Sequence, residues 1–271
     1  MLHSRRAPWA TTRRLLTVLA AASVAAACGG GGDATDSGTE SAASSAEGFY
    51  LGTMAGGTPN YFEKLVLENN EVWLMYGSRA SPGAAISNGG LMGGTATYSS
   101  GTLTAATIKD FSVVPAGAGS LSASYKTNSK SHATSVSGAV SVAGKNLTLT
   151  GDDRVSNYLY SLPASLSALS GIWTLPTASG APGTVSVNST GGFSLNVNGC
   201  TASGTMVTRA SGKNVYNVAL TFGAAPCNFP GAAFSGVAFV FSSTALGTGR
   251  ELRVILRNSA QTVGFMLVGT R

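Results

Sequence analysis

The chain has 271 residues, with 36 glycines, 9 prolines, 44% hydrophobic side chains and only 10% charged ones. This balance excludes a disordered polyelectrolyte, and the length allows one large or two small domains. The formal charge of +6 does not mark a nucleic-acid binder: Arg5, Arg6, Arg13 and Arg14 carry most of the excess, and without them 13 basic residues face 11 acidic ones.

Residues 1–14 are basic and hold no acid; Leu15 to Ala27 then form a run of Leu, Val and Ala broken by one Thr and one Ser. A run of that size fits the apolar core of an export signal, about 7–15 residues, and is short of the roughly 20 that a spanning helix needs. Cys28 follows, and after it comes GGGGDATDSGTESAASSAEG, a small, polar stretch suited to a tether. Val24-Ala25-Ala26-Ala27-Cys28 resembles a bacterial lipobox, although Ala25 stands where Leu is commonest. The resemblance implies a signal peptide over 1–27, lipid attachment at Cys28 and a flexible tether over 28–47. Gly29, where an inner-membrane lipoprotein carries Asp, favours the outer membrane. The alternative is ordinary cleavage after an A-x-A site, which leaves Cys28 a free thiol.

From residue 48 onward the apolar residues alternate with period two, as in strands with one buried face. Leu65 and Leu67 alternate with Lys64, Val66 and Glu68; Tyr216, Val218, Leu220 and Phe222 alternate with Asn217, Ala219 and Thr221; Leu252, Val254 and Leu256 alternate with Arg253, Ile255 and Arg257. Asn69-Asn70 and Gly191-Gly192 read as hairpin turns. Gly89-Gly90 and Gly93-Gly94 lack the Lys-Ser/Thr of a phosphate loop and read as a mobile surface loop.

The order of elements repeats. Gly48-Phe49-Tyr50 is answered by Gly171-Ile172-Trp173, Ser99–Leu103 by Ala202–Met206, Leu121–Tyr125 by Val215–Ala219, and Val136–Val142 by Phe234–Val240. Four echoes in one order indicate a tandem duplication. The expected fold is all-β, two antiparallel barrel-like domains over 48–162 and 171–271, with a linker over 163–170 that forms a short helical turn. Eight strands per copy would close each barrel and remove its edges. Few apolar contacts are expected to cross the linker. Gly171-x-Trp173 also looks like the opening of lipocalins, in which the Trp plugs one barrel end. From NGCTASGTMVTRASGKNVYNVALTF to the closing VGFMLVGTR, the chain resembles a type of proteobacterial envelope lipoprotein with tandem Gly-x-aromatic β units. That likeness implies location and architecture and lends no activity.

With Cys28 given to lipid, Cys200 and Cys227 remain as a pair for an oxidising compartment, and a disulfide between them is expected. Neither has a neighbouring His or a C-x-x-C spacing. The single histidine after the signal, His132, cannot build a two- or three-His metal site, and no G-x-S-x-G elbow presents a serine. Asp152-Asp153 would point to opposite faces of a strand and reads as a solvated turn. Trp73, Tyr76, Tyr98, Tyr158 and Tyr160 are either core or an exposed binding set. Arg209, Lys213, Arg250, Arg253, Arg257 and Arg271 against Glu251 make a local positive field, either solubilising or turned toward anionic lipid. The expectation is a non-enzymatic outer-membrane lipoprotein without cofactor or metal. It would have a structural or protein-interaction role, with a membrane, an envelope protein or anionic lipid as partner. The alternative is a lipocalin-like barrel holding a small apolar ligand or lipid.

Overall fold

The computed structural model describes residues 46–57, 59–78, 87–127, 133–142, 144–153, 158–176, 182–242 and 249–271. Cys28 and His132 lie outside these residues, as do the segment expected to be a signal, 1–27, and all but residues 46 and 47 of the expected tether, 28–47. In chain order the strands are β1 (Gly48–Ala55), β2 (Tyr61–Val66), β3 (Glu71–Ser78), β4 (Ser87–Thr95), β5 (Thr97–Ser99), β6 (Thr102–Asp110), β7 (Gly117–Thr127), β8 (Ala133–Val142) and β9 (Lys145–Asp152). After the single helical turn α1 (Leu166–Leu169) come β10 (Gly171–Leu175), β11 (Gly183–Val187), β12 (Gly192–Val197), β13 (Cys200–Thr208), β14 (Tyr216–Phe222), β15 (Ala233–Ser242), β16 (Arg250–Arg257) and β17 (Gly264–Thr270).

Both halves are closed antiparallel barrels. The second runs β10 to β17 in sequence order and closes where Thr174 meets Thr270. The first has the order β4-β3-β2-β1-β9-β8-β7-β6-β5 and closes by pairing β4 with β6, Met92 opposite Asp110 and Gly93 opposite Lys109. Strands β4 and β5 are one bent strand interrupted at Ala96, and both pair with β6, whose register shifts between Ala105 and Ile108. Each barrel therefore has eight staves and no free edge.

Alternation builds the interiors. In β11 and β14 every second side chain is buried, and Val185, Val187, Val218 and Leu220 join Trp173, Leu195, Met206 and Leu252 in the core of the second barrel. Tyr50, Phe62, Val66, Val72, Leu74 and Leu149 do the same in the first. Asn70, at φ 67°, turns β2 into β3, and Gly191, at φ 85°, serves the β11–β12 turn, as their sequence suggests.

Three expectations are corrected here. Gly89 to Gly94 form strand β4 rather than a surface loop, because bulky neighbours on β3 need the space: a Cβ on Gly90 would strike the Tyr76 hydroxyl, and one on Gly93 would lie 2.7 Å from the Trp73 ring. The last two sequence echoes fall one strand out of step. Leu121–Tyr125 lies in the sixth stave of its barrel and Val215–Ala219 in the fifth; Val136–Val142 lies in the seventh and Phe234–Val240 in the sixth. Runs of Gly, Ser, Ala and Val match by composition as readily as by descent, whereas the Gly48 and Gly171 openings do coincide. Finally, the two barrels are not separate units on a linker. A third apolar core lies between them, with Phe49, Leu65, Trp73 and Met75 of the first packed with Val237, Phe239 and Ile255 of the second.

Candidate functional site

The seam between the barrels explains why β2 and β3 are buried on both faces. Phe62, Lys64 and Val66 point into the first barrel, and Glu63 and Leu65 point out against the second. On the facing strand Leu252, Val254 and Leu256 line the second barrel's core, while Arg253, Ile255 and Arg257 turn outward into the seam. Phe49, Tyr158 and Phe239 stack there with ring centroids 5.0–5.3 Å apart.

Among the described residues, four ion pairs cross this seam. Arg253 grips Glu63 with both arms, Nε to Oε2 at 3.1 Å and Nη2 to Oε1 at 3.2 Å, with side chains 3% and 0% exposed. Burial works against the Arg253 charge, but the Glu63 carboxylate outweighs it and holds the guanidinium above its ordinary value. Arg257 donates to Glu71 at 2.8 Å and lies over the Trp73 ring, 4.7 Å from its centroid. Arg209 donates to Glu68 at 2.8 Å, and Lys213 to Glu47 at 3.2 Å. Burial alone would raise the Glu68 carboxyl; hydrogen bonds from Ser211, its own backbone N–H, Arg209 and Tyr160 prevail and bring it down to about 2. Four of the six cations that sequence places in one positive field are thus turned onto acids of the first barrel.

The chain between the barrels is stitched into the same seam. The Tyr160 hydroxyl donates to Glu68 Oε2 at 2.9 Å, Tyr158 donates to the Asn214 carbonyl, and the Asn214 N–H donates to the Tyr160 carbonyl at 2.9 Å. The aromatic set is therefore not an exposed binding face: Trp73, Tyr158 and Tyr160 belong to the seam, and Tyr76 and Tyr98 to the first barrel's interior. Tyr76 donates to Asp110 at 2.8 Å.

One end of each barrel is stopped by the aromatic residue of its opening tripeptide. Trp173 Nε1 donates to the Leu169 carbonyl at 2.8 Å, and the Tyr50 hydroxyl to the Ala46 carbonyl at 2.9 Å, each four residues upstream. Arg271 covers the Trp173 ring at 4.3 Å and donates to the Ser170 and Ala168 carbonyls, so the end of the chain clamps the helical turn that precedes the second barrel. In the first barrel the cation over the ring is Lys64, with Nζ 4.9 Å from the Tyr50 centroid.

Lys64 is fully buried, its Nζ has no hydrogen-bond partner, and burial pulls its ammonium down from 10.5 to about 7. No sequence motif marks it; it stands at an inward position of an alternating strand, where a charge is out of place, and that is the signal. The Tyr98 hydroxyl, packed against the same core, is likewise buried without a partner.

Cys200 and Cys227 form a disulfide with Cα atoms 4.6 Å apart, as expected. It ties the start of β13 to the β14–β15 connection, next to Phe222, Phe229 and Phe234. Asp152 ends β9, and both Asp152 and Asp153 are partly buried. Among the described residues, no group of three or more His, Cys, Asp or Glu is arranged to hold a metal ion, and no helix is long and apolar enough to cross a membrane. An open cleft at the rim of the seam is lined by Thr95, Thr107 and Lys109 of the first barrel and Arg257 and Gln261 of the second.

These features define a class: an all-β protein of two tandem eight-stranded barrels joined face to face. Compared with known proteins, the chain matches no family model, no curated protein and no solved structure.

Proposed function

We propose that the chain is a lipoprotein of the bacterial envelope, anchored through Cys28 in the outer membrane, with a structural or protein-interaction role and no catalysis. The observation that carries the role is the seam: an apolar core and four ion pairs among the described residues join the two barrels in one compact unit, suited to presenting a single outer surface. A disulfide of this kind persists in an oxidising compartment, in keeping with export. The partner is an envelope protein or anionic lipid, with no nucleic acid involved. The test is metabolic labelling with an alkyne fatty acid, followed by fractionation of envelopes and cross-linked pull-down. Label and outer-membrane location should both be lost in Cys28→Ser; label retained in that variant would overturn the anchor.

A second reading is favoured by one specific feature, the unpartnered Lys64 inside the first barrel. A barrel of eight strands is just wide enough to be filled by side chains or to hold one small ligand. On this reading the first barrel carries a small molecule and the second serves as its rigid support.

A further inference from the structure

The opening hairpins of the two barrels share one register, and they differ at a buried position opposite the aromatic stopper. Strand β1 pairs with β2 so that Tyr50 stands opposite Lys64, and β10 pairs with β11 so that Trp173 stands opposite Val185. Both partners are buried against the aromatic stopper. Valine at this place makes a dry, packed core, so the architecture has no need of an amine here. A buried polar group in a native core is paired in the great majority of cases, and an ammonium in apolar surroundings is costly unless a counter-charge meets it. Burial lowers the Lys64 ammonium to about 7, and among the described residues no hydrogen-bond partner meets its Nζ.

The Tyr98 hydroxyl is a second unpartnered donor of this interior among the described residues, and its ring packs edge-on against Tyr125 at 6.3 Å. Lys64 lies over the Tyr50 ring, and after burial itself the charges of Asp153, Tyr98 and Glu47 raise the Tyr50 hydroxyl. Lys64 and Tyr98 are the donors of this set, Lys64 the cationic one. The second barrel's interior holds no orphan polar atom among the described residues.

We propose that the interior of the first barrel is a binding site for a small monocarboxylic acid with an apolar body, its carboxylate accepting hydrogen bonds from Lys64 Nζ and Tyr98 Oη. The apolar body lies among side chains such as Phe62, Leu74 and Leu149, which supply burial without specificity. The carboxylate supplies the counter-charge, and a charge-assisted pair in a dry interior favours the acid over a neutral molecule of the same size. This inference rests on the second reading above, that the first barrel carries a ligand, and names its chemistry.

The test uses the purified full chain with octanoate and 1-octanol as probes, followed by titration calorimetry and by the pH titration of the Lys64 side-chain NMR resonance. Octanoate should bind one per chain, at least tenfold more tightly than octanol, and should move the Lys64 titration upward from about 7; octanol should leave it in place. Lys64→Met, which resembles the Val185 situation and should fold, is expected to bring the two probes within about twofold of each other. Tyr98→Phe should weaken octanoate several-fold with little effect on octanol. Octanoate bound as tightly by Lys64→Met as by the unaltered chain would refute the headgroup assignment while leaving a ligand-carrying barrel. If the unaltered chain binds neither probe, the ligand-carrying reading itself fails and this inference with it.

Discussion

Glu63 and Arg253, 190 residues apart in sequence, meet in a two-armed pair buried between the barrels. Each also serves its own barrel: Tyr61 donates to Glu63 Oε1 at 3.5 Å, and Glu251 Oε2 lies 2.6 Å from Arg253 Nη1. Such a pair contributes little compared with well-packed apolar residues, but losing Glu63 leaves the buried Arg253 charge with Glu251. Glu63→Gln is therefore expected to destabilise by about 1–3 kcal/mol, less than a fully stranded buried charge would cost. Glu63→Leu combined with Arg253→Met should cost much less than the sum of the two single changes. Urea unfolding of the four-member cycle measures this; strictly additive losses would mean that the pair is not coupled.

Lys64 makes stability depend on pH with a definite sign. Its folded value lies near 7 and its unfolded value near 10.5, so between these the unfolded chain holds a proton that the folded chain lacks. Stability therefore rises with pH from about 7 to 10.5, and the penalty is fully present below 7. The displacement corresponds to about 5 kcal/mol as an upper bound. Lys64→Met should be more stable than the unaltered chain at pH 7, with the gap closing toward pH 10.5. A Met variant that is less stable at pH 7 would contradict the buried, unpaired amine.

Removing the disulfide acts chiefly on the unfolded chain. For a separation of 27 residues the loop-closure argument gives about 3–4 kcal/mol. Cys200→Ser with Cys227→Ser should lower the unfolding free energy obtained from urea titration by that amount, with the fold retained. A loss under about 1 kcal/mol would show that the unfolded state gains little freedom.

Glu68 supplies the opposite pH sign. Its folded carboxyl lies at about 2 against an ordinary 4.5, so its contribution is present above 4.5 and is lost as pH falls through 2. The melting temperatures of the unaltered chain and Glu68→Gln should differ most near pH 6 and converge toward pH 2. Parallel curves would show that its ties to Arg209 and Tyr160 do not matter to stability.

Much of the architecture is legible in the sequence because the local signals agree with it. Period-two alternation in NVYNVALTF and ELRVILRN, the Asn69-Asn70 turn and the paired Cys200 and Cys227 each lie where short-range rules place them. The seam is not read from such rules, because its ion pairs join residues 141 to 190 apart. Its traces are nonetheless present. VWLMY, over 72–76, is continuous in apolar residues, the mark of a strand buried on both faces. Acids at 47, 63, 68 and 71 in the first half complement the cations of the second. Arginine alternating with leucine in β16 looks like a solvent face, and only the partner strand reveals it as an interface. Strand β4 escapes because its glycines, which read as loop, make room for Tyr76 and Trp73.

The seam predicts that the two barrels unfold as one body. Differential scanning calorimetry of the full chain, with residues 46–162 and 163–271 expressed separately for comparison, tests it most directly. The seam predicts a single transition for the full chain, with calorimetric and van't Hoff enthalpies in agreement, and halves that melt well below it or aggregate through the exposed Leu65, Trp73, Phe239 and Ile255 surfaces. Two resolved transitions in the full chain, each at the temperature of the corresponding isolated half, would contradict it.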